Sequence, residues 1–423
     1  MIQAKSQNTH RQIQEKAFSP YVEYVYYATV LYGNMSVAWG ISIPNLAAGM
    51  LAALSAYCVL WFGHDVRRLL APIALPLGCA LSFLLIQITV YDQSPLDFAL
   101  RSFISWIFGL LIIQALAFRP GFLRRFSFAL LGLQVLLIPY LKSLNYGELS
   151  RAGLDAAVGL ANPNDLAGWF GFSVVYFSVA GISTRRNVLR TTYFFIALFS
   201  LFVVGLTVSR GALFAIAISV LIAFRRLLKG MFFPVVALLG ILWIAYETGL
   251  FDDILALYMQ RGTEETGRFL IWPAAIERFL TSPWIGVGVF DIGTYIPEHG
   301  HDATPHNSFI YIGLASGLIP LMFFIAYWIK AAISALRTAP GLSEDAQFCL
   351  PLLVFTLLQS IAGDDPFKKP WAIVALTVSI GLHARRLIRP LKTAHSSPRR
   401  LNFSQPRWRR PITKIKPRTK TFG

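Results

Sequence analysis

Three histidines, His299, His301 and His306, fall within residues 298–317, where a polar segment passes through His306-Asn307 directly into an apolar run. An imidazole titrates near neutrality, so a neutral one at a helix amino terminus can take a proton from a hydroxyl nucleophile. The partial positive charge of the helix end disfavours the imidazolium and keeps such a base in its accepting form. A histidine that only caps the helix would occupy the same place. Three histidines also invite a zinc site, but Gly300 and Pro305 make the segment a loop without regular ligand spacing or cysteine partners, and no metal is expected.

Two arginines have complementary chemistry. Arg210 follows Ser209 at the end of an apolar run and precedes Gly211, which permits close backbone approach by a ligand. A guanidinium there can hold a phosphate through two parallel hydrogen bonds. Arg268 follows Gly267 and opens 268–279, where Phe269, Trp272, Ile276 and Phe279 describe an amphipathic helix on a membrane surface, capped by Thr266. Both arginines could instead snorkel to lipid headgroups. Asn162-Pro163-Asn164-Asp165 reads as a capped helix start. Asp364, Asp365, Lys368 and Lys369 form an interfacial charge cluster with a structural or a site role.

The scaffold that must position these residues is membranous. Of 423 residues, 55% are hydrophobic and 14% charged, and apolar runs near the roughly 20 residues that a span requires recur from Tyr21 to Leu387. Charged and Pro/Gly punctuation divides them into twelve expected spans: 21–42, 45–62, 71–91, 101–118, 126–142, 165–182, 191–208, 211–224, 231–248, 307–329, 347–363 and 370–384. Glu23, Gly33 and Asn34 interrupt the first. The fold class is therefore an all-α polytopic membrane protein with about twelve transmembrane helices and one large loop, 249–305. Residues 1–20 carry Lys5, Arg11 and Lys16 without a secretory signal pattern, so insertion is expected to use the spans themselves. Cys58, Cys79 and Cys349 lie within apolar runs and read as small buried residues.

Lys and Arg collect on the cytoplasmic side of short loops. With the amino terminus inside, the inside turns carry Arg67-Arg68, Arg119 with Arg124-Arg125, Arg185-Arg186 with Arg190, Arg225-Arg226 with Lys229, and Lys330 with Arg337. Both termini are then cytoplasmic. The turns at 143–164, 209–210 and 364–369 share the periplasmic face with 249–305. The chain divides into a cytoplasmic segment 1–20, a transmembrane region 21–387 and a basic tail 388–423. From Arg385 onward thirteen Lys or Arg supply thirteen of the formal +17 charge. The tail's composition reads as disordered and attracted to anionic headgroups, with nucleic acid the less favoured partner. Away from the ends of spans two to twelve there is no Asp, Glu, Lys, Arg or His, which argues against an ion-coupled transporter.

In combination, Asn162-Pro163-Asn164-Asp165-Leu166-Ala167, Ser209-Arg210-Gly211-Ala212, Gly267-Arg268 with Trp272, Pro283-Trp284-Ile285-Gly286-Val287-Gly288, and His306-Asn307-Ser308-Phe309 leading to Gly313 and Gly317-Leu318 resemble the O-antigen ligase and polymerase superfamily of bacterial inner-membrane glycosyltransferases. The resemblance covers 161–321. It implies a metal-independent transferase that needs no cofactor and takes a glycan from undecaprenyl pyrophosphate at the periplasmic face of the inner membrane. His306 falls on the family's activating histidine, and Arg210 and Arg268 on its phosphate-binding arginines, with Asn307 beside the substrate. The acceptor is a sugar hydroxyl of lipid A core in a ligase, or the end of another lipid-linked repeat in a polymerase. Ligase is the favoured reading. An exopolysaccharide polymerase, a protein-directed oligosaccharide transferase and a polytopic transporter are the alternatives.

The charge alternation has a direct test. Single cysteines at Glu298 and Arg225 are expected to react with an impermeant thiol reagent from the periplasm and from the cytoplasm respectively; labelling of both from one side would overturn the twelve-span order.

Overall fold

A computed structural model of the protein describes residues 20–36, 39–41, 43, 45–93, 98–119, 121–146, 149–154, 162–225, 248, 256, 268–292, 304–338, 345–363 and 370–388. Contacts divide the chain into one compact unit, Met1–Arg385, and a second, Arg386–Gly423. The expected span at 231–248, apart from Thr248, and the tail beyond Ile388 lie outside the described residues.

The described chain is mostly helical: α1 Pro20–Met35, α2 Leu46–Phe62, α3 Val66–Thr89, α4 Phe98–Ala117, α5 Phe122–Tyr140, α6 Pro163–Ser183, α7 Asn187–Leu206, α8 Arg210–Phe224, α9 Arg268–Thr281, α10 Ser308–Ser316, α11 Leu318–Arg337, α12 Ala346–Ile361 and α13 Pro370–Ile388. Five of these (α3, α5, α6, α7 and α11) are long and apolar enough to cross a membrane, and α2, α8 and α12 are shorter apolar helices. The amino-acid pattern accounts for the arrangement. Helix α6 is apolar or small on every side and is buried from Leu166 to Gly181, as a helix without a polar face must be. Helix α7 instead turns Phe195, Leu198, Phe199 and Phe202 outward, surface suited to lipid.

Helices α6, α8 and α12 form the centre, with small residues letting them approach. Gly171 lies under Phe355, Gly168 under Trp371 of α13, and Gly181 against Phe194 of α7. Ser183, at the carboxyl end of α6, bonds Gln347 near the start of α12 at 2.6 Å, so α6 and α12 run antiparallel. Near this end the Gly121 N–H donates to Asp345 at 2.9 Å, and the Tyr176 hydroxyl bonds the carbonyls of Leu123 and Arg124. Here too lies Glu23, only 2% exposed, whose carboxylate takes Arg125 Nε at 2.9 Å, Arg119 Nη1 at 2.9 Å and the Tyr27 hydroxyl at 2.7 Å. Two guanidinium groups and a phenol offset the desolvation of that carboxylate, which is how the first helix tolerates a charge in an apolar run.

Three expectations are corrected. First, within a mostly helical chain that is consistent with the all-α class, residues 141–146 and 149–154, expected as a helix end and a turn, pair as antiparallel strands, β1 Leu141–Tyr146 with β2 Leu149–Leu154, in the register Tyr146↔Leu149. Two six-residue runs around Gly147-Glu148, a Gly-X pair, are the hairpin signal in the sequence. Second, Lys330 is not in a turn. It lies inside α11, and its ammonium donates to the carbonyls of Pro72 at 2.7 Å and Ala71 at 3.2 Å. Pro76 has no N–H to offer the Pro72 carbonyl four residues back, and the lysine takes its place.

Third, the expected span 307–329 is broken. Helix α10 has nine residues and extends about 14 Å at 1.5 Å per residue, too short to cross a roughly 30 Å hydrocarbon layer. Gly317, at φ 80°, ends it, and α11 begins anew. Hydropathy continues through the break because every residue around it is apolar or small. The break is held by residues 283–288: Val287 N–H donates to the Leu314 carbonyl at 2.7 Å, Gly288 N–H to Ala315 at 3.1 Å, and Leu318 N–H to Pro283 at 2.8 Å. A Cβ on Gly317 would overlap the Trp284 carbonyl, and one on Gly286 the Leu314 carbonyl. Gly317→Ala is therefore expected to destabilise the protein by about 3 kcal/mol, combining left-handed backbone strain with overpacking. Gly49→Ala, inside α2 where a Cβ meets nothing within 4 Å, is the control and is expected to melt at or slightly above the wild-type temperature in detergent. Equal melting temperatures would overturn this account of the break.

Candidate functional site

The expected site residues divide by element. Asn162 caps α6: its side chain accepts from the Asn164 N–H at 2.8 Å, and Pro163 occupies the first turn, where no N–H is needed. Asn164 in turn accepts a hydrogen bond from Ser209 at 3.3 Å. Ser209 is the residue before α8 and makes no cap of its own, leaving Arg210 as the first residue of that helix. One residue later, a Cβ on Gly211 would stand 3.3 Å from the Ala362 Cβ, at the carboxyl end of α12. The neighbouring Gly363 carbonyl accepts from Ser308 Oγ at 3.1 Å, at the amino end of α10. Consecutive residues of α12's end thus touch the starts of α8 and α10, bringing Arg210 and His306 to one locality at the end of the bundle opposite Glu23, Arg119 and Arg125.

His306 does not cap α10. Asn307 does, its Oδ1 accepting from the N–H groups of Phe309 at 3.0 Å and Ile310 at 3.3 Å. Asn307 is 8% exposed and offers a substrate only its Nδ2, because Oδ1 is committed to the helix. His306, partly exposed, adopts φ 47°, and Val208, two residues before Arg210, adopts φ 53°. Left-handed backbone costs a non-glycine residue about 1–2 kcal/mol, most plainly for a β-branched valine. Such strain, stored just before two helices that meet at one place, is characteristic of sites where geometry matters more than stability.

Arg268 opens α9. One helical turn later, Trp272 Nε1 donates to the Pro305 carbonyl at 2.7 Å, immediately before His306. Spacing i, i+4 puts Arg268 and Trp272 on the same face of α9, so the backbone of Arg268 is on the side that meets the His306 segment. Ile271 and Ala275 are buried and Phe279 reaches Gly313 of α10, while Ile276, Leu280 and Trp284 are exposed. The amphipathic helix expected for 268–279 therefore divides its apolar residues between α10 and an outward, bilayer-compatible surface. Thr266, Gly267, His299, His301, Asp364, Asp365, Lys368 and Lys369 lie outside the described residues. Among the described residues there is no cluster of three or more metal-ligating side chains.

Sequence reasoning passed over Gln87 and Tyr91. Gln87, fully buried on α3, donates to the Ala315 carbonyl at 2.8 Å and to Ser316 Oγ at 2.7 Å, and accepts from the Val289 N–H at 3.1 Å. The Tyr91 hydroxyl donates to the Gly286 carbonyl at 2.7 Å. The sequence signal was a lone carboxamide in an apolar run; a search restricted to ionisable residues does not register it.

Long apolar helices around a nearly all-buried α6, with polar residues gathered where helix ends meet, define a multi-pass helical membrane protein. Residues 156–325 match the family model described as O-antigen ligase, and the match takes in α6, α7, α8, α9, α10 and the first turns of α11. It supports the O-antigen ligase and polymerase superfamily, whose members are enzymes of glycosyltransferase type. No curated protein matches the chain.

The cap can be tested separately from any role in chemistry. Asn307→Asp keeps the accepting oxygen and is expected to melt with the wild type, whereas Asn307→Ala is expected to lose about 1 kcal/mol. Equal losses in thermal unfolding would mean that Oδ1 is not the stabilising group.

Proposed function

We propose that the protein transfers a glycan from undecaprenyl pyrophosphate to a sugar hydroxyl at the periplasmic face of the bacterial inner membrane, and that it acts as an O-antigen ligase on lipid A core. The observation that carries this reading is the meeting of the α8 and α10 amino ends, with Arg210 and His306, at Ala362 and Gly363. Two helix amino termini and an arginine favour a polyanion, and a histidine beside them can serve a hydroxyl. The twelve-span order, with both termini cytoplasmic, belongs to the same proposal.

In this mechanism Arg210 and Arg268 hold the pyrophosphate and stabilise the negative charge that grows on it as it leaves. His306 accepts the proton of the acceptor hydroxyl as that oxygen forms a bond to the anomeric carbon of the donor sugar. The bond from the anomeric carbon to the phosphate oxygen breaks, and undecaprenyl pyrophosphate departs with the bonding electron pair. Asn307, whose Oδ1 caps α10, is assigned to bind an oxygen of the substrate through Nδ2. Charge neutralisation is assigned to guanidinium groups, so the reaction is proposed to run without a divalent cation or other cofactor.

Lipopolysaccharide from a deletion strain is expected to carry complete core and no O-chain. Core bearing one repeat would make the protein a polymerase instead. Purified protein is expected to transfer glycan in excess EDTA. His306→Ala is expected to lose a factor of about a hundred to ten thousand while still folded and inserted. Arg210→Lys and Arg268→Lys are expected to fall short of wild-type rates, since charge survives but the planar fork does not. Wild-type transfer by His306→Ala would move the base to another group.

A further inference from the structure

Gln87 lies on α3, outside the stretch that matches the family model, yet its carboxamide bonds groups 202 to 229 residues away in sequence. A buried carboxamide in an apolar helix is costly unless both its donor and its acceptor are paired. Gln87 pairs both. It donates to Ala315 and Ser316, the last two residues of α10, and accepts from Val289, just past the loop that seats the break.

Helix α10 is a nine-residue rod with a fastening at each end. At its amino end Trp272 holds Pro305 and Gly363 holds Ser308, and at its carboxyl end residues 283–288 and Gln87 hold Leu314 to Ser316. Helices α9 and α10 are already joined by residues 283–288, so the bonds of Gln87, with that of Tyr91, tie this pair to the membrane bundle. Arg210 belongs to α8, which Gln87 does not bond.

We infer that Gln87 is a positioning residue for transfer: it fixes where α10 stands relative to the bundle, and so where His306 meets the acceptor hydroxyl held against the donor. The inference rests on the transferase reading of His306. It differs from a simple packing role in what it requires of the side chain. The group at this position must donate toward Ala315 and accept from Val289 at the same time, which a carboxamide or a protonated carboxylic acid can do and an apolar side chain or a carboxylate cannot.

Three purified proteins test it: wild type, Gln87→Met and Gln87→Glu, each assayed for glycan transfer across pH, with folded, inserted protein quantified by size-exclusion chromatography. Gln87→Met keeps length and apolar burial, and its kcat is expected to fall about ten- to a hundredfold, the scale of a misplacement of about 1 Å, while the donor KM changes by less than about threefold. Gln87→Glu, expressed relative to wild type at each pH, is expected to gain activity as pH falls and its carboxyl group protonates. The ratio for Gln87→Met is expected to stay flat. A kcat for Gln87→Met within twofold of wild type overturns the proposal. So does a loss of activity that only follows a loss of folded protein, or a Gln87→Glu ratio that ignores pH. Absence of transfer by wild-type protein overturns the functional reading itself, and the positioning role with it.

Discussion

Backbone pressed on backbone at Gly317 and Gly286 governs the polar end of this molecule. The carbonyls of Trp284 and Leu314 occupy the space where side chains would begin, and three backbone hydrogen bonds close the seam between residues 283–288 and 314–318. Glycine is required there both for its left-handed φ and for the missing Cβ. The seam ends α10 after nine residues and starts α11 afresh, converting one continuous apolar run into a short helix and a long one. Had the run remained one helix, His306 would stand at the mouth of a span. With the break it stands on a short rod fastened at both ends.

A second constraint is the end of α12, where Ala362 and Gly363 face the starts of α8 and α10. Helix starts carry partial positive charge, so an anion between or beside two of them is favoured. The left-handed conformations of Val208 and His306, each just ahead of one of those helices, show that the local chain accepts strain to arrive there. At the opposite end the structure does the reverse: a single buried carboxylate, Glu23, is surrounded by two guanidinium groups and a phenol. Charge is neutralised internally at that end, while two helix starts and Arg210 meet at the other.

Much of this was legible in the sequence. Ten of the twelve expected segments each overlap a single described helix, 307–329 is split into two and 231–248 lies almost wholly outside the described residues; a run of apolar residues bounded by Pro, Gly and charge leaves few structures other than a helix in a membrane. Asn162 reads as a cap and is one. The grouping of 162–164, 209–211 and 306–308 at one end follows from alternation alone. What hydropathy could not register was geometry set by single residues. Gly317 is as apolar as its neighbours, so the break is invisible to a hydropathy count. Lys330 looks like loop punctuation until the carbonyl orphaned by Pro76 is found beside it. Gln87 carries no charge and was passed over, and Asn307 rather than His306 turned out to cap α10. In each case the deciding partner lies on another element, distant in sequence.

The claim on which the rest depends is that Arg210, Arg268 and His306 surround one lipid-linked pyrophosphate. Photo-crosslinking with an undecaprenyl pyrophosphate analogue that bears its reactive group next to the phosphates, followed by peptide mapping, addresses it without relying on turnover. Label is expected at the starts of α8, α9 and α10, and unlabelled donor is expected to displace it from all three. Label confined to the opposite end, around Arg119 to Arg125, or spread along the lipid-facing helices without competition, would contradict the shared site.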